Sequence, residues 1–181
     1  TGAALLRERE HGTIEHLLVM PLSSFQIVMS KVWANGLIIL VAFSLSMLFV
    51  VETILDVPIS GSRLLLVGGT TLYLFAAAAI GIFLGTIART MAQFALLMIM
   101  VIIPITMLSG GLTPIESQPE IIQPVTWFLP SRHYMSFAQA VVFRGADITI
   151  IWPQLLTIIA LGGIFFSASL ALFRRSIAVS R

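Results

Sequence analysis

Long stretches without a charge alternate with short polar connectors along this chain. Residues 32–51, 64–87, 91–112 and 150–173 contain no Lys, Arg, Asp or Glu and are apolar all round rather than on one face. Each run is about twenty residues or more, the length an α-helix needs to cross a hydrocarbon core of about 30 Å. A helix also satisfies its own backbone hydrogen bonds, which lipid cannot do. The pattern therefore predicts an all-α membrane protein with four transmembrane helices. The connectors differ from one another. Residues 52–63 read as a simple loop and 88–90 as a tight turn, whereas 113–149 is long and cut by Pro114, Pro119, Pro124 and Pro130. Ile121, Ile122, Val125, Trp127, Phe128 and Leu129 give its pieces an apolar side. Such a segment predicts short helices that lie in the interface or re-enter the membrane, where protein or a water-filled cavity covers their ends.

Ahead of the first span, residues 1–31 are charged and amphipathic. Pro21 ends one helix, and Ser23 with Gln26 three positions later fits a capping box that starts the next. That second helix runs through Lys31 into the membrane, with the ammonium reaching back to the headgroups. Residues 174–181 form a tail. Thr1 is followed by no basic start with a short apolar region, so no signal peptide is expected in this stretch, and further spans are expected before Thr1.

Composition changes the picture little: 58% of residues are hydrophobic, 10% are charged and mean hydropathy is +1.04, which excludes an ordinary soluble domain. Charge adds orientation. Segments 1–31, 88–90 and 174–181 hold Arg7, Arg9, Lys31, Arg89, Arg174, Arg175 and Arg181, seven of the ten basic residues. The opposite connectors hold Arg63, Arg132 and Arg144, together with five of the eight acids. Short-loop Lys and Arg collect on the cytoplasmic side, so both ends are predicted cytoplasmic. The net charge of +2 reflects that bias and does not point to nucleic acid. With no Cys, disulfides and thiolate chemistry are excluded.

Enzymatic motifs are missing. His11 and His16 lie five apart with Glu15 between them, not the HExxH spacing of a zinc protease. Neither a phosphate-binding loop nor a nucleophile elbow occurs, so the chain does not bind ATP by itself. His133, beside Arg132 and Tyr134, reads as a solvated or lipid-facing ring. Ala77, Gly81 and Gly85 recur every four residues, a stripe that lets another helix approach closely. The spans carry no buried carboxylate for a proton relay, so any transport needs an outside energy source.

The stretch Glu8-Arg9-Glu10-His11-Gly12-Thr13-Ile14-Glu15-His16-Leu17-Leu18, followed by Pro21-Leu22-Ser23 and Lys31, resembles a signature of the permease subunits of type-2 ABC exporters in their six-span bacterial form. A second match, Ser109-Gly110-Gly111 with Pro114, Glu116 and Pro119, then Leu129-Pro130, Tyr134 and Arg144-Gly145, resembles the segment before that family's last span. The resemblance implies that the four runs are spans three to six. It makes Arg7, Glu8, Arg9, Glu10, Gly12, Thr13, Glu15, Leu18 and Pro21 a cytoplasmic coupling helix that contacts an ATP-binding subunit. Gly110, Gly111, Pro114, Glu116, Pro119 and Pro130 become a re-entrant gate. The implied partners are the ATP-binding subunit, a second permease copy or homologue, and the bilayer of the bacterial inner membrane; ATP and magnesium would sit on the partner. Two other classes stay open: a structural membrane scaffold, and an intramembrane lipid-modifying enzyme that uses His133 and Glu116.

Overall fold

The computed structural model describes the backbone of residues 1–10 and 24–179 and the side chains of residues 1–4, 6, 7 and 25–172. Among these residues there is no strand, and four helices are long and apolar enough to cross a membrane: Phe25–Ile54, Arg63–Ile87, Met91–Leu108 and Ile148–Leu172. The protein is an all-α membrane protein. In chain order the helices are α1 (Gly2–Glu10), α2 (Ser24–Leu45, continued by a π-helical stretch Ser46–Ile54), α3 (Arg63–Ile87), α4 (Met91–Leu108), α5 (Gln123–Thr126), α6 (Pro130–Arg144) and α7 (Ile148–Val179). A 3-10 turn, Ile115–Ser117, precedes α5.

Local chemistry sets the ends. Ser62 caps α3 by accepting from the Leu65 N–H at 3.4 Å. At the start of α4 the exchange is reciprocal: Thr90 accepts from the Gln93 N–H at 3.2 Å while the Gln93 side chain accepts from the Arg89 N–H at 2.9 Å. Helix α6 opens on Pro130, whose missing N–H costs nothing there. It closes on Gly145 in the left-handed region, φ 61°, with the Ala146 N–H donating to the Ala140 carbonyl at 3.0 Å.

The helix ends depart from the apolar runs at three points. Helix α2 passes residue 51, so Glu52 stands on helix and not in a loop; Arg63 meets its carboxylate at 2.8 Å across the α2–α3 connection and supplies the counter-charge. Helix α4 stops at Leu108 rather than 112, because Gly110 takes φ 88°, a conformation outside any helix. The 113–149 connector is less fragmented than its prolines suggest, since α6 alone has 15 residues. Two polar side chains of α2 bond within it: Asn35 donates to the Lys31 carbonyl and Ser44 to the Leu40 carbonyl.

Helix α3 is the hub. One cluster packs Val28 and Val32 of α2 with Ala79 and Ile82 of α3 and Phe166 of α7. A second gathers Leu66 of α3, Phe137 and Val141 of α6 and Ile151 of α7. The third joins Leu6 of α1 to Leu84 of α3, to Ala88 just past its end and to Phe94 of α4. Small residues make these contacts close: a Cβ on Gly162 of α7 would lie 3.0 Å from that of Ala76. Beside it the buried Ser169 hydroxyl reaches the Ala79 carbonyl of α3 at 2.9 Å and its own Phe165 carbonyl at 2.7 Å. Lipid supplies no hydrophobic drive between helices, so close approach and such hydrogen bonds hold them.

Candidate functional site

Helix α6 has 15 residues, about 22 Å at 1.5 Å per residue, too short to cross a core of about 30 Å. Its neighbours give its depth. The Val141 carbonyl lies against Gly61, the Phe137 ring against Gly69, and the Tyr134 ring stacks on Tyr73 with centroids 4.3 Å apart. Pro130 and Ser131 share a cavity wall with Ala77 and Gly81. Helix α6 thus runs antiparallel to α3 and begins beside residues 73–77, ten to fourteen positions from Arg63. That places its N-terminus about 15–20 Å from the end of α3, near the middle of the bilayer. A helix too short to span, laid along the first half of α3, is the geometry expected of a re-entrant half-helix.

Three contacts seat it. Phe137 is fully buried in the slot that Gly69 leaves. The Tyr134 hydroxyl lies 3.0 Å from Thr70 Oγ1; because the Thr70 proton goes to the Leu66 carbonyl at 2.8 Å, Tyr134 is the donor. The third contact is the Tyr73–Tyr134 stack. Tyr134→Phe removes only the hydrogen bond and is expected to cost about 0.6 kcal/mol, a typical value between membrane helices. Thermal unfolding of the full-length protein in detergent measures it, and Tyr134→Ala, which also loses the stack, should melt clearly lower. Equal melting of the two variants would mean the stack contributes nothing.

The chain descending to α6 is folded on itself. Gln118, 6% exposed, donates to the Leu108 and Thr113 carbonyls at 3.4 Å, and Gln123 donates to the Gln118 carbonyl at 3.0 Å. Arg132 reaches back from α6 to the Gln123 carbonyl at 2.7 Å and to the Thr126 hydroxyl. Its guanidinium also lies 5.2 Å from the centre of the Trp127 ring. His133 is 6% exposed and its Nε2 sits 2.9 Å from the Trp127 carbonyl. This corrects the expectation of a solvated or lipid-facing ring: the carbonyl left over at the α5–α6 turn binds it.

Of the residues singled out in the sequence, the structure brings Gly110, Pro114 and Glu116 together with Ser109, Ser136 and Arg144 around a cleft of about 250 Å³. Gly111 lies against the Met135 side chain, Pro119 is exposed, and Pro130 is buried at the start of α6. Glu116 lines that cleft and His133 does not, so the pair needed for the lipid-modifying reading is not assembled there. Ala77 lines a mostly apolar cavity of about 240 Å³ between α3 and α4. Gly81 and Gly85 face Gly2 of α1: a Cβ on Gly85 would lie 2.8 Å from the Gly2 carbonyl oxygen. Arg7 is exposed on α1, which also carries Glu8, Arg9 and Glu10 in its backbone. Gly12, Thr13, Glu15, Leu18 and Pro21 lie outside the described residues, as do the side chains of Glu8, Arg9 and Glu10.

Sequence reading missed the α6 seam and the Arg132 clasp. The signal for the seam was present, since Tyr134, Phe137 and Val141 fall on one helical face between a proline and a glycine. Nothing local marked Arg132, whose partners come from nine and six positions upstream.

Residues 1–171 match the profile of a family described as ABC-2 family transporter protein. The chain is 52% identical over 177 residues to the inner membrane transport permease YhhJ of Escherichia coli K12, covering 98% of this chain and 47% of that protein. It is 28% identical over 178 residues to the probable multidrug ABC transporter permease YbhR of the same strain, covering 98% and 48%. With the probable multidrug ABC transporter permease YbhS it shares 32% over 163 residues, covering 88% and 42%. The chain thus spans just under half the length of these relatives.

Proposed function

Because the chain belongs to the ABC-2 family of transporter proteins, we propose that it is part of the membrane-spanning permease of an ATP-driven exporter in a bacterial inner membrane. It lines the translocation path and takes its energy from a separate ATP-binding subunit, which holds the ATP and magnesium. A second permease copy or homologue completes the path, and both ends of this chain are cytoplasmic. YhhJ is named an inner membrane permease and YbhR a probable multidrug one, which favours transport over a scaffold or an enzyme.

The observation that carries the coupling reading is the seat of α1. Gly2 packs on Gly81 and Gly85, and Leu6, 1% exposed, sits among Leu84, Ala88 and Phe94. The charged segment that begins on α1 is thereby joined to α3, the helix against which α2, α6 and α7 also pack. A push on that segment reaches the hub directly. Helix α3 holds the re-entrant half-helix along its other half, so the same element links the cytoplasmic segment to the mid-membrane site.

The test is ATP hydrolysis by the partner ATPase in proteoliposomes with the full-length permease, comparing wild type with Glu10→Lys and Gly12→Trp. Permease-dependent stimulation is expected to be lost in both while each still inserts. Unchanged stimulation in both would reject the assignment of this segment.

A further inference from the structure

Arg132 is a cation on the first turn of α6 that, among the described residues, meets neutral partners only. Its contacts are the Gln123 carbonyl, the Thr126 hydroxyl and the Trp127 ring, and both hydrogen bonds come from Nη1. A guanidinium carries five N–H donors; among the described residues, no partner meets those on Nε and Nη2, and no carboxylate lies within ion-pair distance. A charge at this depth is costly unless something compensates it, and such residues mark the paths of ligands and ions.

The surroundings define what would compensate it. Arg132 is half-buried, and around the turn that holds it Val125, Trp127 and Phe128 are exposed, at 60%, 58% and 69%. Helix α6 adds its positive N-terminal end at this point. Positive charge on one side of an apolar rim matches a molecule with an anionic head and an apolar tail.

We propose that the exposed side of Arg132, with the apolar rim Val125, Trp127 and Phe128, is a mid-membrane recognition site for the anionic head of an amphipathic cargo. This rests on the export reading. The Nη1 edge keeps the turn closed while the Nε and Nη2 edge meets a phosphate or carboxylate in the fork geometry that guanidinium favours. The tail lies on the exposed rim side chains. Passage past the half-helix then depends on head charge as well as on apolar surface.

The experiment measures binding of dodecyl phosphate, dodecylphosphocholine and dodecyltrimethylammonium to the full-length permease in detergent, without ATPase or ATP. Wild type is expected to prefer dodecyl phosphate by about tenfold or more over the other two. Arg132→Gln should erase that preference while leaving binding of the other amphiphiles, and Arg132→Lys should keep part of it. Equal affinity of wild type for the three heads would overturn the proposal even if the Gln variant failed to fold, and so would a preference that survives Arg132→Gln. Inorganic phosphate should compete poorly; competition as strong as that of dodecyl phosphate would reject the amphipathic assignment. If Arg132→Gln instead splits a permease dimer and wild type shows no head preference, the counter-charge is a carboxylate of the second copy and the proposal falls. Since the readout needs no ATPase, a failure of energy coupling in the Glu10→Lys experiment leaves this result standing, and the reverse also holds.

Discussion

Replacing Gly69 with Ala is expected to unseat α6 and lower the melting midpoint of the full-length permease, although the change adds only a methyl group. A Cβ at that position would lie 2.2 Å from Phe137 Cζ and 2.3 Å from its Cε1. The ring has no room to retreat: Phe137 is fully buried in a cluster with Leu66, Val141 and Ile151. Overpacking of this kind costs about 1–3 kcal/mol, and here it falls on an element too short to anchor itself across the bilayer. Transport should fall with stability, since the half-helix carries the mid-membrane turn with it. The double variant Gly69→Ala, Phe137→Leu shortens the intruding group and should recover more than half of the loss, a coupling that independent sites would not give. A single variant that melts with wild type would mean that α6 is not seated on α3 at this point.

Gly85→Leu should separate two properties that a damaged coupling segment loses together. The added Cβ would meet the Gly2 carbonyl oxygen at 2.8 Å and the Gly2 Cα at 3.1 Å, all backbone. Backbone cannot rotate aside, so α1 must lift from α3 and take Leu6 out of its seat beside Leu84 and Phe94. The substitution changes no residue of the segment that follows α1. Recruitment of the ATPase is therefore expected to persist, while permease-dependent stimulation drops by about tenfold, equivalent to about 1.4 kcal/mol of coupling. Co-purification together with ATP hydrolysis in proteoliposomes reads both. Stimulation equal to wild type would show that force does not travel through the α1–α3 contact. Loss of recruitment as well would mean that the small-residue stripe and the docking surface are one unit.

The two glycines illustrate different degrees of legibility. Gly85 belongs to a stripe of three small residues spaced four apart, with Ala77 and Gly81, visible in sequence because helical spacing puts all three on one face. Which helix fills that face is not a local property, and only packing supplies Gly2 as the neighbour. Gly69 has no such pattern around it. Its role depends on a ring 68 positions later that arrives because α6 turns back beside α3.

The amino-acid sequence by itself determined the class of the protein and the family to which it belongs. Four uncharged runs long enough to span lipid leave helices as the available structure, because only helices satisfy their backbone within one segment. The segment Glu8 to Leu18 with Pro21-Leu22-Ser23 and Lys31, and the stretch from Ser109-Gly110-Gly111 to Arg144-Gly145, carried the family resemblance with no reference to contacts. Tertiary structure alone decided the seat of α6 along α3, the burial of His133 against the Trp127 carbonyl and, among the described residues, the neutral surroundings of the Arg132 charge. Each of these depends on residues far apart in sequence or on a turn whose direction no local propensity fixes. A bilayer dictates which segments must be helical and about how long they must be. Which faces meet is set by side-chain shape, and the slot at Gly69 and the stack of Tyr73 on Tyr134 exist only once the helices are side by side.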